Sequence, residues 1–131
     1  MSRILLLLAF CLSPLTATAD ETWITPRGTV VYEKDFAGMA VLSLPLPNAT
    51  AMIYFPGLAS NFTNRSTHEG FWIANENGPC SASLAAPDGQ RSTSWGKAVI
   101  AFDRPAFPTD WSLWLGNCLG PATTPIRGLV P

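Results

Sequence analysis

The chain is poor in the residues that carry most catalytic and electrostatic chemistry: it has one histidine, 13% charged residues and no run of Lys or Arg. Each shortage excludes something. A metal site built on His68 would have to recruit Glu69, Asp88 or Asp110 from separate stretches, and the zinc-protease pattern H-E-x-x-H fails because its fifth position is Trp72. Any Ser-His-acid triad must likewise use His68, and no G-x-S-x-G elbow singles out a serine for it. Among the acids, Glu76 lies in Asn75-Glu76-Asn77-Gly78 and Asp88 in Pro87-Asp88-Gly89-Gln90, both turn sequences, so no carboxylate pair for glycoside hydrolysis stands out. The chain reads as a non-enzyme with no cofactor and no metal.

Long apolar runs are scarce too. The longest, Ile4 to Leu12, follows Arg3 and gives way to Pro14 and the small-residue triplet Ala17-Thr18-Ala19. That is short of the roughly 20 residues that span a bilayer and has the three-part layout of a secretory signal. The expectation is a cleavable signal over residues 1–19, cut between Ala19 and Asp20, and no membrane span afterwards. Lipid attachment at Cys11 is disfavoured because Phe10 stands where a lipoprotein peptidase needs a small residue. The remaining chain has seven basic residues against nine acidic ones, which argues against nucleic acid as a partner. A periplasmic or secreted location follows from the signal.

Three cysteines are present and Cys11 leaves with the signal, so Cys80 and Cys118 remain as an even pair in an oxidising compartment. They are expected to form a disulfide. Closing that loop would stabilise the fold by about 4 kcal/mol on the chain-entropy account.

Proline and glycine are plentiful, 12 and 10 residues, and no stretch beyond the signal keeps an apolar period of 3.6. Short segments rich in apolar, aromatic and β-branched residues recur instead, each bounded by turn residues. Strands are expected at Gly28 to Glu33, Met39 to Leu44, Ala49 to Phe55 and Glu69 to Asn75. A hairpin is expected to pair Cys80–Ala86, around Pro87-Asp88-Gly89-Gln90, with a return strand that places Ala98, Ile100 and Phe102 on one face. The last strand follows from Trp111, with Trp111, Leu113 and Leu115 on one face and Trp114 on the other. The expected fold is therefore all-β: one antiparallel meander, barrel or sandwich of about 7 strands over residues 20–118, with an irregular tail over 119–131.

All five tryptophans, Trp23, Trp72, Trp95, Trp111 and Trp114, lie beyond the signal. Trp72 and Trp114 stand opposite other large apolar residues in their strands, which suggests a barrel covered on both faces or an exposed aromatic patch. The polar connection from Pro56 to Thr67 is long enough to suggest interaction, and it supplies Asn61, Phe62 and Arg65 as candidate binding residues beside His68, Trp72 and Trp114. Asn48, Asn61 and Asn64 also open N-x-S/T sequons.

The layout of a signal peptide and a small disulfide-tied β-domain resembles that of periplasmic lysozyme inhibitors and of small lipocalin-like carriers. No inhibitory loop or pocket motif of either is matched residue by residue. The abundance of aromatics beside the absence of a catalytic constellation leaves two functions as expectations. One is a non-catalytic, inhibitor-like module of the cell envelope that engages an extracytoplasmic protein or glycan through the 56–67 connection. The other is a small β-barrel carrier of an apolar ligand held against Trp72 or Trp114.

Overall fold

The computed structural model describes residues 21–59, 67–104 and 108–131. The strands are β1 (Thr22–Thr25), β2 (Gly28–Phe36), β3 (Met39–Pro45), β4 (Thr50–Pro56), β5 (His68–Ala74), β6 (Leu84–Ala85), β7 (Arg91–Ser92), β8 (Trp95–Phe102), β9 (Trp111–Leu115) and β10 (Thr124–Gly128). Eight of them form one antiparallel sheet in the order β1-β2-β3-β4-β5-β8-β9-β10, and β6 and β7 form a separate two-stranded sheet. The all-β expectation holds.

The large sheet curls until β1 meets β10. Ile24 and Leu129 exchange both backbone hydrogen bonds, at 2.8 and 2.9 Å, which nearly closes an up-and-down barrel. Extending that register would set Pro26 opposite Arg127 and Thr22 opposite Pro131. Neither proline can donate an N–H, which limits the seam to one bridge.

Two-residue periodicity decides what fills the barrel. Val30 and Tyr32, Leu42 and Leu44, Ile53 and Phe55, Ile100, Trp111 and Leu113 all point inward and are at most 4% exposed. Inside, Trp23 and Trp111 meet edge to face with ring centroids 5.8 Å apart. Gly128, paired with Trp111 on the neighbouring strand, leaves room for that ring, since a Cβ there would fall 2.4 Å from it. The lumen is occupied by side chains.

Outward-facing Val41, Tyr54 and Ile73 are also buried, against expectation for the solvent side of a single sheet. Their cover is the 75–94 excursion, whose Leu84 and Ala86 pack on them. Trp95 fastens this flap by donating from Nε1 to the Ala82 carbonyl at 2.8 Å.

Several sequence-based expectations are corrected here. The Pro87-Asp88-Gly89-Gln90 turn forms, with Gly89 at φ +90°, yet the ladder beside it is only Leu84↔Ser92 and Ala85↔Arg91. Cys80–Ala86 is not a strand partner of the 95–102 segment, because β8 is taken on its two edges by β5 and β9. The region after residue 118 is not wholly irregular: Thr124–Gly128 is β10, the strand that brings the barrel to its seam. Thr22–Thr25 adds a strand at the other side of that seam.

Cys80 and Cys118 form the expected disulfide, with Cα atoms 5.5 Å apart. It ties the flap to the β9–β10 connection and so belongs to one end of the barrel. A formed disulfide is compatible with an extracytoplasmic location.

Candidate functional site

The meander gives the barrel two unlike ends. At the disulfide end lie the connections 26–27, 46–49, 75–94 and 116–123; at the loop end lies 37–38, and there β4 and β8 finish at Pro56 and Phe102 and β5 and β9 begin at His68 and Trp111.

The geometry of the loop end begins with a bulge. The β2–β3 register shifts between Tyr32 and Lys34. Unbroken alternation from Val30 and Tyr32 would carry Lys34 and Phe36 inside. The extra residue reverses the phase. Asp35 then pairs with Ala40, an inward position, and its carboxylate accepts a hydrogen bond from the Tyr32 hydroxyl. Lys34 and Phe36 turn outward, with the ammonium 5.5 Å from the ring centroid. Burial, reinforced by the Asp35 hydrogen bond and the charges of Asp35 and Glu21, pushes the Tyr32 phenol far above its ordinary range. Burial also raises the Glu21 carboxyl.

The 103–110 connection is drawn against this end by Trp23, whose Nε1 donates to the Thr109 carbonyl at 2.9 Å. Thr109, 2% exposed, accepts from the Arg104 N–H and donates to the Asp110 carbonyl. On the outside, Arg127 forks onto Asp103 and reaches the Ser112 hydroxyl at 3.0 Å. The hydrogen bond from Arg127 holds the Asp103 carboxyl below its usual value. Two shallow cavities of about 220 and 210 Å³ flank Pro108 and Val130. Val130, 37% exposed, lines both, with Leu129 (47%) beside it facing Ile24 (55%) across the seam, while Phe36 (37%) stands at the last position of β2; Leu119 (79%) is the exposed large apolar residue of the other end.

The candidate residues read from sequence do not converge. Asn61, Phe62 and Arg65 lie outside the described residues, in a connection that leaves β4 and enters β5 at the loop end. His68, first residue of β5, points inward there, 8% exposed and edge-on to Phe102 with centroids 6.2 Å apart. Trp72 shares the inward face of β5 but sits toward the disulfide end, where its Nε1 donates to the Gly116 carbonyl at 2.8 Å. Gly96 makes that bond possible, since a Cβ would stand 2.0 Å from the carbonyl oxygen and 2.6 Å from the indole nitrogen. Trp114 faces outward between Val99 and Pro125, half-buried, on the wall rather than in the lumen.

Sequence reasoning missed Tyr32, Asp35 and Phe36, which depend on the bulge, and Val130, which depends on closure through β10. Exposed Asn48 keeps its sequon accessible in the β3–β4 turn. Among the described residues, no group of three or more His, Cys, Asp or Glu converges as metal ligands. No helix among them is long and apolar enough to cross a membrane. Comparisons with protein-family models, with characterised proteins and with solved structures find no match for this chain.

Proposed function

We propose that the protein is an exported, non-catalytic, inhibitor-like binding module of the cell envelope that engages an extracytoplasmic protein through the loop end of its barrel. The observation that carries this reading is the pairing of exposed Val130 and Leu129 with two shallow cavities, and exposed Phe36 on the same end, over a barrel whose lumen is packed. A rim of apolar side chains among charged groups, with shallow pockets between, suits a protein surface. A sugar would instead favour an exposed tryptophan platform, and the half-buried Trp95 and Trp114 lie toward the opposite end. The carrier alternative is less well supported, because Trp23, Trp111 and their neighbours occupy the space an enclosed ligand would need.

Affinity capture with quantitative titration tests the proposal. Phe36→Asp and Val130→Asp should each weaken partner binding at least tenfold, the loss expected when an apolar anchor is replaced by a charge. Leu119→Asp, at a 79% exposed position of the disulfide end, should leave binding unchanged. Equal effects of all three substitutions would refute the assignment of the surface.

A further inference from the structure

The disulfide end holds a cavity of about 170 Å³ at the barrel mouth. Its floor is apolar, made by Trp72, Leu46 and Leu115, and its rim is polar, made by Arg27, Asn117 and Thr124. We propose that this mouth is a binding site for a small carboxylate with a short apolar or aromatic body.

Three features select that chemistry. The first is charge. Arg27 is the one charged residue lining the cavity, and no ion pair holds its guanidinium among the described residues. The Arg27 backbone is set by a tight turn in which its N–H donates to Thr25 Oγ1 at 3.1 Å while that hydroxyl donates to the Gly28 carbonyl at 2.7 Å, and its exposed side chain reaches the cavity rim. A planar guanidinium at a site with no carboxylate selects an anion, and its fork matches a carboxylate.

The second is the state of the floor. The Trp72 N–H and the Gly116 carbonyl satisfy each other, so both are already committed and the indole offers apolar surface to whatever enters. Trp72 is 9% exposed, a floor reachable from the mouth. Apolar contact below and donors above make an amphipathic site.

The third is size. Sites for drug-sized ligands begin at about 300 Å³, so this cavity suits a fragment-sized acid or the last residue of a chain. Both sources present the same carboxylate on a short apolar body. The inference is independent of the partner surface proposed at the loop end, and neither stands or falls with the other.

The probes are 3-phenylpropionate, its neutral amide, and a short peptide ending in leucine with either a free or an amidated C-terminus. Binding to the full oxidised protein is read by tryptophan fluorescence and by amide chemical shifts at low salt. The acid should shift the amides of residues 27, 116 and 117 and bind at least tenfold more tightly than its amide. Arg27→Gln, an exposed substitution that should leave the melting temperature unchanged, should bring the acid down to the affinity of the amide. Trp72→Phe should reduce the fluorescence response, and a variant that fails to fold leaves the Arg27→Gln comparison decisive. A free-carboxylate peptide that binds at least tenfold more tightly than 3-phenylpropionate assigns the site to a chain terminus; weaker or equal binding assigns it to small acids. Equal affinity of acid and amide, an Arg27→Gln protein that binds as well as the parent, or no shift at 20-fold molar excess and above would each overturn the proposal.

Discussion

At the disulfide end the connections are joined covalently and by a glycine-enabled indole bond, whereas at the loop end the described contacts are individual hydrogen bonds. Cys80–Cys118 fastens the flap to the β9–β10 connection, and Trp72 fastens that connection to the barrel interior. Opposite them, Trp23 holds the 103–110 connection through one carbonyl and Tyr32 holds Asp35 through one hydroxyl. The difference teaches where order is guaranteed and where it is conditional. A site that needs fixed geometry suits the first end, and a surface that adapts to a partner suits the second.

The largest effect should come from removing the covalent tie. Replacing both Cys80 and Cys118 by serine should cost about 4 kcal/mol, measured as a lower urea midpoint. Affinity for a partner at the loop end should change less than twofold in conditions where the variant stays folded. A parallel loss of affinity would show that the ends are coupled and break the comparison.

Trp23→Phe should have the next largest effect, about 2 kcal/mol, because it leaves the Thr109 carbonyl without its donor while keeping most of the ring contact with Trp111. Faster hydrogen exchange confined to 103–110 would sharpen the contrast. Faster exchange across β8 and β9 as well would erase it.

The smallest effect is set by pH. The Tyr32 phenol is raised in the folded state above an unfolded value of about 10, so the stability it contributes is fully present below about pH 10 and is lost as pH climbs toward its folded value. Tyr54, raised by burial under the flap and by nearby Asp88, acts in the same direction. The melting temperature should therefore decline above pH 10, with phenolate absorbance appearing together with unfolding. Tyr32→Phe should flatten that decline. Phenolate absorbance that develops fully while the protein is still folded would contradict the buried environment of both rings.

Much of the barrel was legible in the sequence, because its strands keep a clean period of two. Ile100 and Phe102, and likewise Trp111, Leu113 and Leu115, share the faces that alternation assigns them, and the cysteine pair follows from counting. What failed was whatever depends on distant register. Thr22–Thr25 is too short to declare itself, and Pro125 disguises β10 as a loop although its neighbour Ile126 is 5% exposed. The flap misled in another way. Ser81, Ser83 and the small apolar residues between them alternate like a strand, but β8 already had partners on its two edges.

The candidate sites were less legible than the fold. Alternation marks Trp72 because it stands opposite other large apolar residues, but its setting at the mouth rests on Gly96, Gly116 and Arg27, brought together from three other segments. At the loop end a single bulge decides whether Phe36 is core or surface, and nothing in the local pattern of Gly28–Phe36 marks where the phase reverses.

The Ile24–Leu129 bridge also bears on the order of assembly. It joins residues more than 100 positions apart, while every other neighbouring pair in the large sheet is linked through a much shorter stretch of chain. Closing so long a loop is entropically costly until the intervening hairpins have shortened the path, so the ring should zip from its middle and latch last. The disulfide lies within that loop and, once formed, shortens the path between its ends, so it should ease the latching. The same bridge is then the first contact to release when the folded ring breathes, making the wall between β1 and β10 the natural point of entry for solvent.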